Sequence, residues 1–182
     1  MSRPGFLTGA GVGLFLTMPL VVVSALSNQL AGLPFIPYDF FPFVRDLTPG
    51  AILTAVIDTM VGTITALNLG RVDEAAKTAE QGMAILMLVG VGIIGGAIFF
   101  AVLNAIKARS VVLPGLLFGL IVGIPMALIS QNLGLSATTG ATSLNTLWIV
   151  LLFAVWGLLH AWAYNQLSSP EATTTNRALP VH

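Results

Sequence analysis

The chain has 182 residues, of which 56% are hydrophobic and 8% charged, with seven basic and seven acidic residues. Soluble domains average about 25% charged residues, so this composition suits a surface that faces lipid rather than water. The balanced charge lacks the basic stripe that nucleic-acid binding requires. The absence of cysteine excludes disulfides, thiolate nucleophiles, iron–sulfur ligation and cysteine-based zinc sites.

A bilayer crossing takes roughly 20 apolar residues, and residues 6–30 form the first candidate, free of charge. Arg3, the apolar run and the small residues around Ser24–Ser27 also resemble a signal peptide. The run exceeds the usual signal core of about 7–15 residues, which favours a retained helix. Next comes an aromatic stretch with Pro34, Pro37 and Pro42, which predicts a break in helix. Its aromatics, beside Asp39, Arg45 and Asp46, suit the membrane–water interface.

Thr48-Pro49 reads as a helix start, with Thr48 as N-cap and Pro49 at the first helical position. Across residues 49–68, Ile52, Leu53, Val56, Ile57, Met60, Val61, Ile64 and Leu67 fall on one face, and Thr54, Asp58, Gly62 and Thr65 on the other. This stripe predicts an amphipathic helix lying in the interface. A fifth span is the alternative, but it would bury Asp58 at a cost of about 2.5–3.5 kcal/mol unless paired. Gly70 reads as the helix end, Asp73-Glu74 as the start of the next helix, and Asp73 with Lys77 as a weak surface pair.

Residues 83–106, 111–133 and 147–167 supply three further spans, joined by Lys107-Ala108-Arg109 and by an uncharged Ser/Thr-rich loop from Gly134 to Thr146. Residues 168–182 read as a disordered tail. The fold class is therefore an all-α membrane bundle of four transmembrane helices plus the interfacial helix. The short Lys107–Arg109 loop, with Arg3 and Arg177, places both termini in the cytoplasm by the positive-inside rule. A bacterial inner membrane is the default location for so small a chain with such short loops.

Gly90, Gly92 and Gly95 match the dinucleotide pattern G-x-G-x-x-G, but they lie within an apolar helix instead of at a strand-to-helix turn. Close helix packing explains such glycines better: Gly9 and Gly13, Gly92 and Gly96, and Gly115, Gly119 and Gly123 recur at i,i+4. Their partners, within the chain or in a second copy, stay open at this level. Pro19 and Pro125 should kink their spans.

His160 is the one histidine within a span, a weak cofactor-binding candidate; a haem or quinone would need a partner subunit, since His182 ends the tail. Its bland role is a polar residue near the interface. Trp148 at one end of the fourth span, with Trp162 and Tyr164 at the other, read as interface anchors. Asp58 and Glu80 are the candidates for a proton or ion relay, because ionisable groups at membrane depth are expensive. Against that, both suit a wet surface. Paired intramembrane aspartates, a Ser nucleophile motif and H-E-x-x-H are all absent, which disfavours a hydrolase.

The order Leu33-Pro34, Arg45-Asp46-Leu47-Thr48-Pro49-Gly50, Ile57-Asp58, then Ala76-Lys77 before a glycine-rich span resembles the amino-terminal membrane region of bacterial molybdopterin-dependent oxidoreductases of the sulfite-oxidase type. The likeness covers roughly residues 6–106. It implies an anchor or electron-transfer partner for a separately encoded redox enzyme. The chain departs from that family in lacking the soluble catalytic domain and the cysteine that would ligate molybdenum. The expected function is a non-catalytic membrane subunit, with partners in the bilayer, a redox enzyme or further copies of itself. Its glycine faces and the aromatic loop Pro34–Phe43 would make the contact. The alternatives are a small transporter or channel, and a redox subunit binding haem or quinone.

Overall fold

A computed structural model describes residues 4–66, 72–106, 110–133 and 141–168. Among these residues the chain forms six helices and no strands: α1 (Phe6–Ala31), α2 (Ile36–Leu47), α3 (Gly50–Ala66), α4 (Val72–Ile106), α5 (Val112–Leu133) and α6 (Thr142–Ser168). Four of them, α1, α4, α5 and α6, are long and apolar enough to cross a membrane. Helix is the expected answer, because a backbone in lipid must satisfy its own hydrogen bonds. The chain is a multi-pass helical membrane protein. Its outward-facing side chains are apolar, among them Ile94, Ile98, Leu117, Ile121, Leu151 and Val155. The expected second and fourth spans extend further toward their N-termini, and α4 begins as early as Val72. Gly70, the Lys107–Arg109 loop, residues 134–140 and the tail from residue 169 lie outside the described residues.

Glycines decide which helices pair. A Cβ added to Gly9 would lie 2.5 Å from the Gly96 carbonyl oxygen, and one on Gly13 would meet the Gly92 carbonyl, so α1 and α4 touch backbone to backbone. The second seam joins α5 to α6. A Cβ on Gly115 would lie 2.5 Å from the Ala161 Cβ and 2.8 Å from the Gly157 oxygen. One on Gly119 would meet the Phe153 carbonyl, and one on Gly123 would lie 2.7 Å from the Phe153 Cβ. Small residues permit this approach, and van der Waals contact then drives association where lipid competes equally for apolar surface. All seven expected packing glycines meet partners inside the chain, and Gly157 joins them. Gly90 meets nothing within 4 Å, and Gly95 meets the Phe118 ring at 3.2 Å. The three glycines of the apparent dinucleotide pattern therefore share no ligand-facing surface.

Two aromatic and aliphatic cores fill the space between the seams. One gathers Leu20, Val21, Phe35, Ile36, Leu88, Met126, Ile149, Phe153 and Trp156; the other gathers Phe99, Phe100, Leu103, Ala161 and Tyr164. Phe35 and Ile36 belong to the start of α2, so this segment folds back into the bundle. The return begins at Gly32, whose φ of 62° ends α1 in the left-handed region. Gly32 N–H donates to Asn28 O and Leu33 N–H to Ser27 O, the double closure that glycine favours at a helix end. The side chain of Asn28 then donates to Leu33 O at 2.7 Å, and Ile36 N–H donates to the buried Ser24 Oγ at 3.2 Å.

The expected break in helix falls at Pro34, within the nonhelical residues 32–35, whereas Pro37 and Pro42 are accommodated in α2. Pro37 stands at the start of α2, where its missing N–H costs nothing. Pro42 lies inside the helix, so a single carbonyl loses its partner. Part of the aromatic segment is buried in the bundle: Phe35, Ile36, Pro37 and Phe41 are covered by α1, α4 and α5, while Tyr38 is exposed. Thr48 ends α2 and donates to Val44 O at 2.7 Å, where capping of α3 was expected. The next helix, α3, begins one residue past Pro49 at Gly50 and turns 115° from α2. It packs mainly against α4, and an open groove of about 620 Å³ lies along it, lined by Ala51, Ile52, Ala55, Val56, Thr59 and Met83. Described side chains on both faces of α3 are exposed, Ile52 and Val56 as well as Thr54 and Asp58.

Candidate functional site

Polar side chains inside the bundle collect at three levels. At the end formed by the start of α1 and the close of α6, Tyr164 OH donates to Asn104 Oδ1 at 2.7 Å, and Asn104 Nδ2 donates to Pro4 O at 2.8 Å. This relay ties α6, α4 and the chain's entry into α1. Tyr164 is buried, so it serves this network, not the interface anchoring expected of it. The reason is helical phase: Phe153, Trp156, His160 and Tyr164 recur at i+3 and i+4 along the inner stripe of α6. Trp162 points outward and Trp148 is half-buried.

At the middle level, Trp156 Nε1 donates to Thr17 Oγ1 at 3.2 Å, and that hydroxyl donates to Gly13 O at 2.7 Å. The bond joins α6 to α1, linking the two glycine-seamed pairs.

His160 lies one turn from Trp156 and has no exposed surface. Its ring packs against Trp156 at 4.2 Å, Phe118 at 5.6 Å and Phe99 at 6.2 Å between centroids. Nδ1 lies 2.9 Å from Trp156 O; a carbonyl only accepts, so Nδ1 carries the proton. In the neutral ring Nε2 is then a buried acceptor with no hydrogen-bond partner. The rings occupy the volume that a porphyrin or a quinone headgroup would need beside His160. These residues do not fit either group within this chain, and His182 is outside the described residues. Among the described residues no three His, Asp or Glu side chains are grouped to hold a metal.

The third level lies at the opposite end, under α2. Ser130 of α5 donates to Asp39 Oδ2 at 2.5 Å, and Asp39 is 2% exposed. The two sequence-level carboxylate candidates sit elsewhere. Asp58 is exposed on α3. Glu80 is half-exposed on α4, 3.9 Å from Arg45, which also pairs with Asp46 at 3.3 Å. Exposed pairs of this kind contribute little. The structure thus brings together neither Asp58 with Glu80 nor either of them with His160. Asp39 carried a sequence signal of its own: it is the one charged residue between Arg3 and Arg45. Gly157 and Ala161 likewise repeat the i,i+4 small-residue spacing.

No protein-family model, characterised protein or solved structure matches the chain.

Proposed function

We propose that this chain is a non-catalytic membrane subunit that anchors a separately encoded partner. One observation carries the reading. The interior is consumed by backbone seams and ring packing, whereas α3 stands apart with its apolar side chains uncovered. Ile52, Val56, Ile57 and Val61 all remain exposed there. The glycine faces and, within Pro34–Phe43, Phe35, Ile36, Pro37 and Phe41, first expected to meet a partner, are spent on internal contacts. The surface offered to one is α3, which lies outside the four candidate spans. That the partner is a redox enzyme rests on the resemblance of residues 6–106 to membrane regions of molybdopterin oxidoreductases, and a bacterial inner membrane is the default setting for so small a chain with such short loops.

The test is purification from the native membrane in mild detergent, with a photocrosslinking residue at Ile57. Mass spectrometry and an absorption spectrum are taken on the same sample. A stoichiometric redox protein crosslinked at Ile57 is the expected result. A colourless, partner-free chain would overturn the reading.

A further inference from the structure

The open groove of about 620 Å³ along α3 is walled by Ala51, Ile52, Ala55, Val56 and Thr59 and by Met83 of α4. We propose that it binds a phospholipid whose headgroup is zwitterionic and ends in a primary ammonium, as in phosphatidylethanolamine. One acyl chain fills the groove, Arg45 holds the phosphate, and Asp46 and Glu80 hold the ammonium. The site does not rest on the anchoring role, because Ile57 and Val61 fall on the opposite face of α3 from Ile52, Ala55 and Thr59.

The lining fixes the chemistry of the tail. Thr59 is its one polar residue, and the Thr59 hydroxyl donates to Ala55 O at 2.7 Å. The wall therefore offers no hydrogen-bond donor, and a polar group laid against it would lose its partners. A polar peptide loop is a poor occupant for that reason. A second helix, about 10–12 Å across, would need roughly 1,000 Å³ over the ~12 Å of axis between Ala51 and Thr59. A single acyl chain is narrower, and the groove falls within the usual size of small-molecule sites.

The charged groups at one end select the headgroup. Arg45 lies in the last turn of α2, and only Thr48 and Pro49 separate α2 from α3, so it stands at the Ala51 end. Glu80 precedes Met83 by one turn on the same side of α4, and the charge-free run of α4 starts just after it. These side chains thus stand where hydrocarbon gives way to headgroups. Arg45 Nε and Nη2 donate to Asp46 Oδ1 at 3.3 Å, whereas Nη1 is 3.9 Å from Glu80 Oε1, too far for a hydrogen bond. Arg45, Asp46 and Glu80 each keep at least 41% of their side-chain surface exposed.

Lys77, exposed one turn further out on α4, makes two cations against two carboxylates. This balance matches a headgroup that carries both signs and gives a net anionic one no advantage. A guanidinium fits phosphate geometry, and a primary ammonium has three N–H donors for the carboxylates. The quaternary ammonium of a choline headgroup has none. Any tail can enter the groove, since lipid competes equally for apolar surface, so the preference comes from the headgroup.

The probe is phosphatidylethanolamine with a diazirine in one acyl chain, at low mole fraction in phosphatidylcholine nanodiscs that hold the full chain. Adducts are mapped by peptide mass spectrometry, with the exposed Ile121 of α5 as the bulk-lipid background. Labelling at Ala51, Ala55 or Met83 should exceed that at Ile121 about tenfold, the worth of one charge-assisted hydrogen bond. Unlabelled phosphatidylethanolamine should suppress it, and phosphatidylglycerol should not. A matched choline probe should label the groove and Ile121 alike. Ala55→Phe, whose ring fills the groove, should remove the groove adducts and keep those at Ile121. Glu80→Gln with Asp46→Asn should abolish the preference over choline. Groove labelling no higher than at Ile121 would overturn the proposal. So would an equal signal from the choline probe, suppression by phosphatidylglycerol, or groove adducts unchanged in Ala55→Phe. The wild-type comparisons decide the matter even if a variant folds poorly.

Discussion

Replacing Gly119 by alanine tests the claim that the seam between α5 and α6 is a backbone contact within one chain. The added Cβ would face the Phe153 carbonyl and lie 2.9 Å from the Ala154 Cα and 3.0 Å from the Phe153 carbonyl carbon. Relaxed carbon contacts need about 3.5–4.0 Å, so α6 must retreat by roughly 0.5–1 Å. A gap of that size forfeits a quarter to a half of each contact, and about 40 facing atom pairs at 0.1–0.2 kcal/mol then lose about 2 kcal/mol. Alanine returns about 1 kcal/mol of helix propensity at any glycine in a helix interior. Gly90→Ala supplies the matched control, because nothing lies within 4 Å of its added Cβ. Subtracting the two cancels the propensity term, leaving Gly119→Ala about 2 kcal/mol less stable than Gly90→Ala. The assay is unfolding in mixed detergent and SDS micelles, followed by tryptophan fluorescence and far-UV circular dichroism. Equal midpoints for the two variants would refute the seam. A midpoint that depended on protein concentration would move the contact to a second copy, as the bare sequence also allowed.

Four other outcomes follow from the interior. Thr17→Val keeps the shape but strands the Trp156 N–H, so stability should fall by about 1–3 kcal/mol in the same titration; Thr17→Val with Trp156→Phe should recover part of that loss. Tyr164→Phe should cost about 1 kcal/mol by releasing Asn104, and should quicken amide exchange around Pro4. His160→Phe should stay within about 1 kcal/mol of wild type, since the unpartnered Nε2 is lost with the ring; a large drop would mean that Nε2 has a ligand. Ser24→Ala should free the Ile36 N–H and raise protease sensitivity between α1 and α2, while leaving the glycine seams intact.

The helical class and four spans were legible along the chain because they are local properties. A long apolar run in lipid has one way to satisfy its backbone, and hydropathy reads it directly. The i,i+4 glycines were legible for the same reason, since a small-residue face is a feature of one helix. Their partners were not legible: the meeting of Gly13 with Gly92 and of Gly119 with Phe153 belongs to pairs of helices. Polarity could not tell the lipid-facing side of α6 from its inner side, so Tyr164 read as an anchor although its helical phase turns it to Asn104. The same limit applied to the carboxylates. Asp58, a relay candidate whose polar face also suited water, is exposed. Asp39, among prolines and aromatics, looked superficial and is buried, because the turn at Gly32 and the bond to Ser24 carry α2 back into the bundle. Depth in a membrane protein is set by where a segment packs, and packing is decided only when the helices meet.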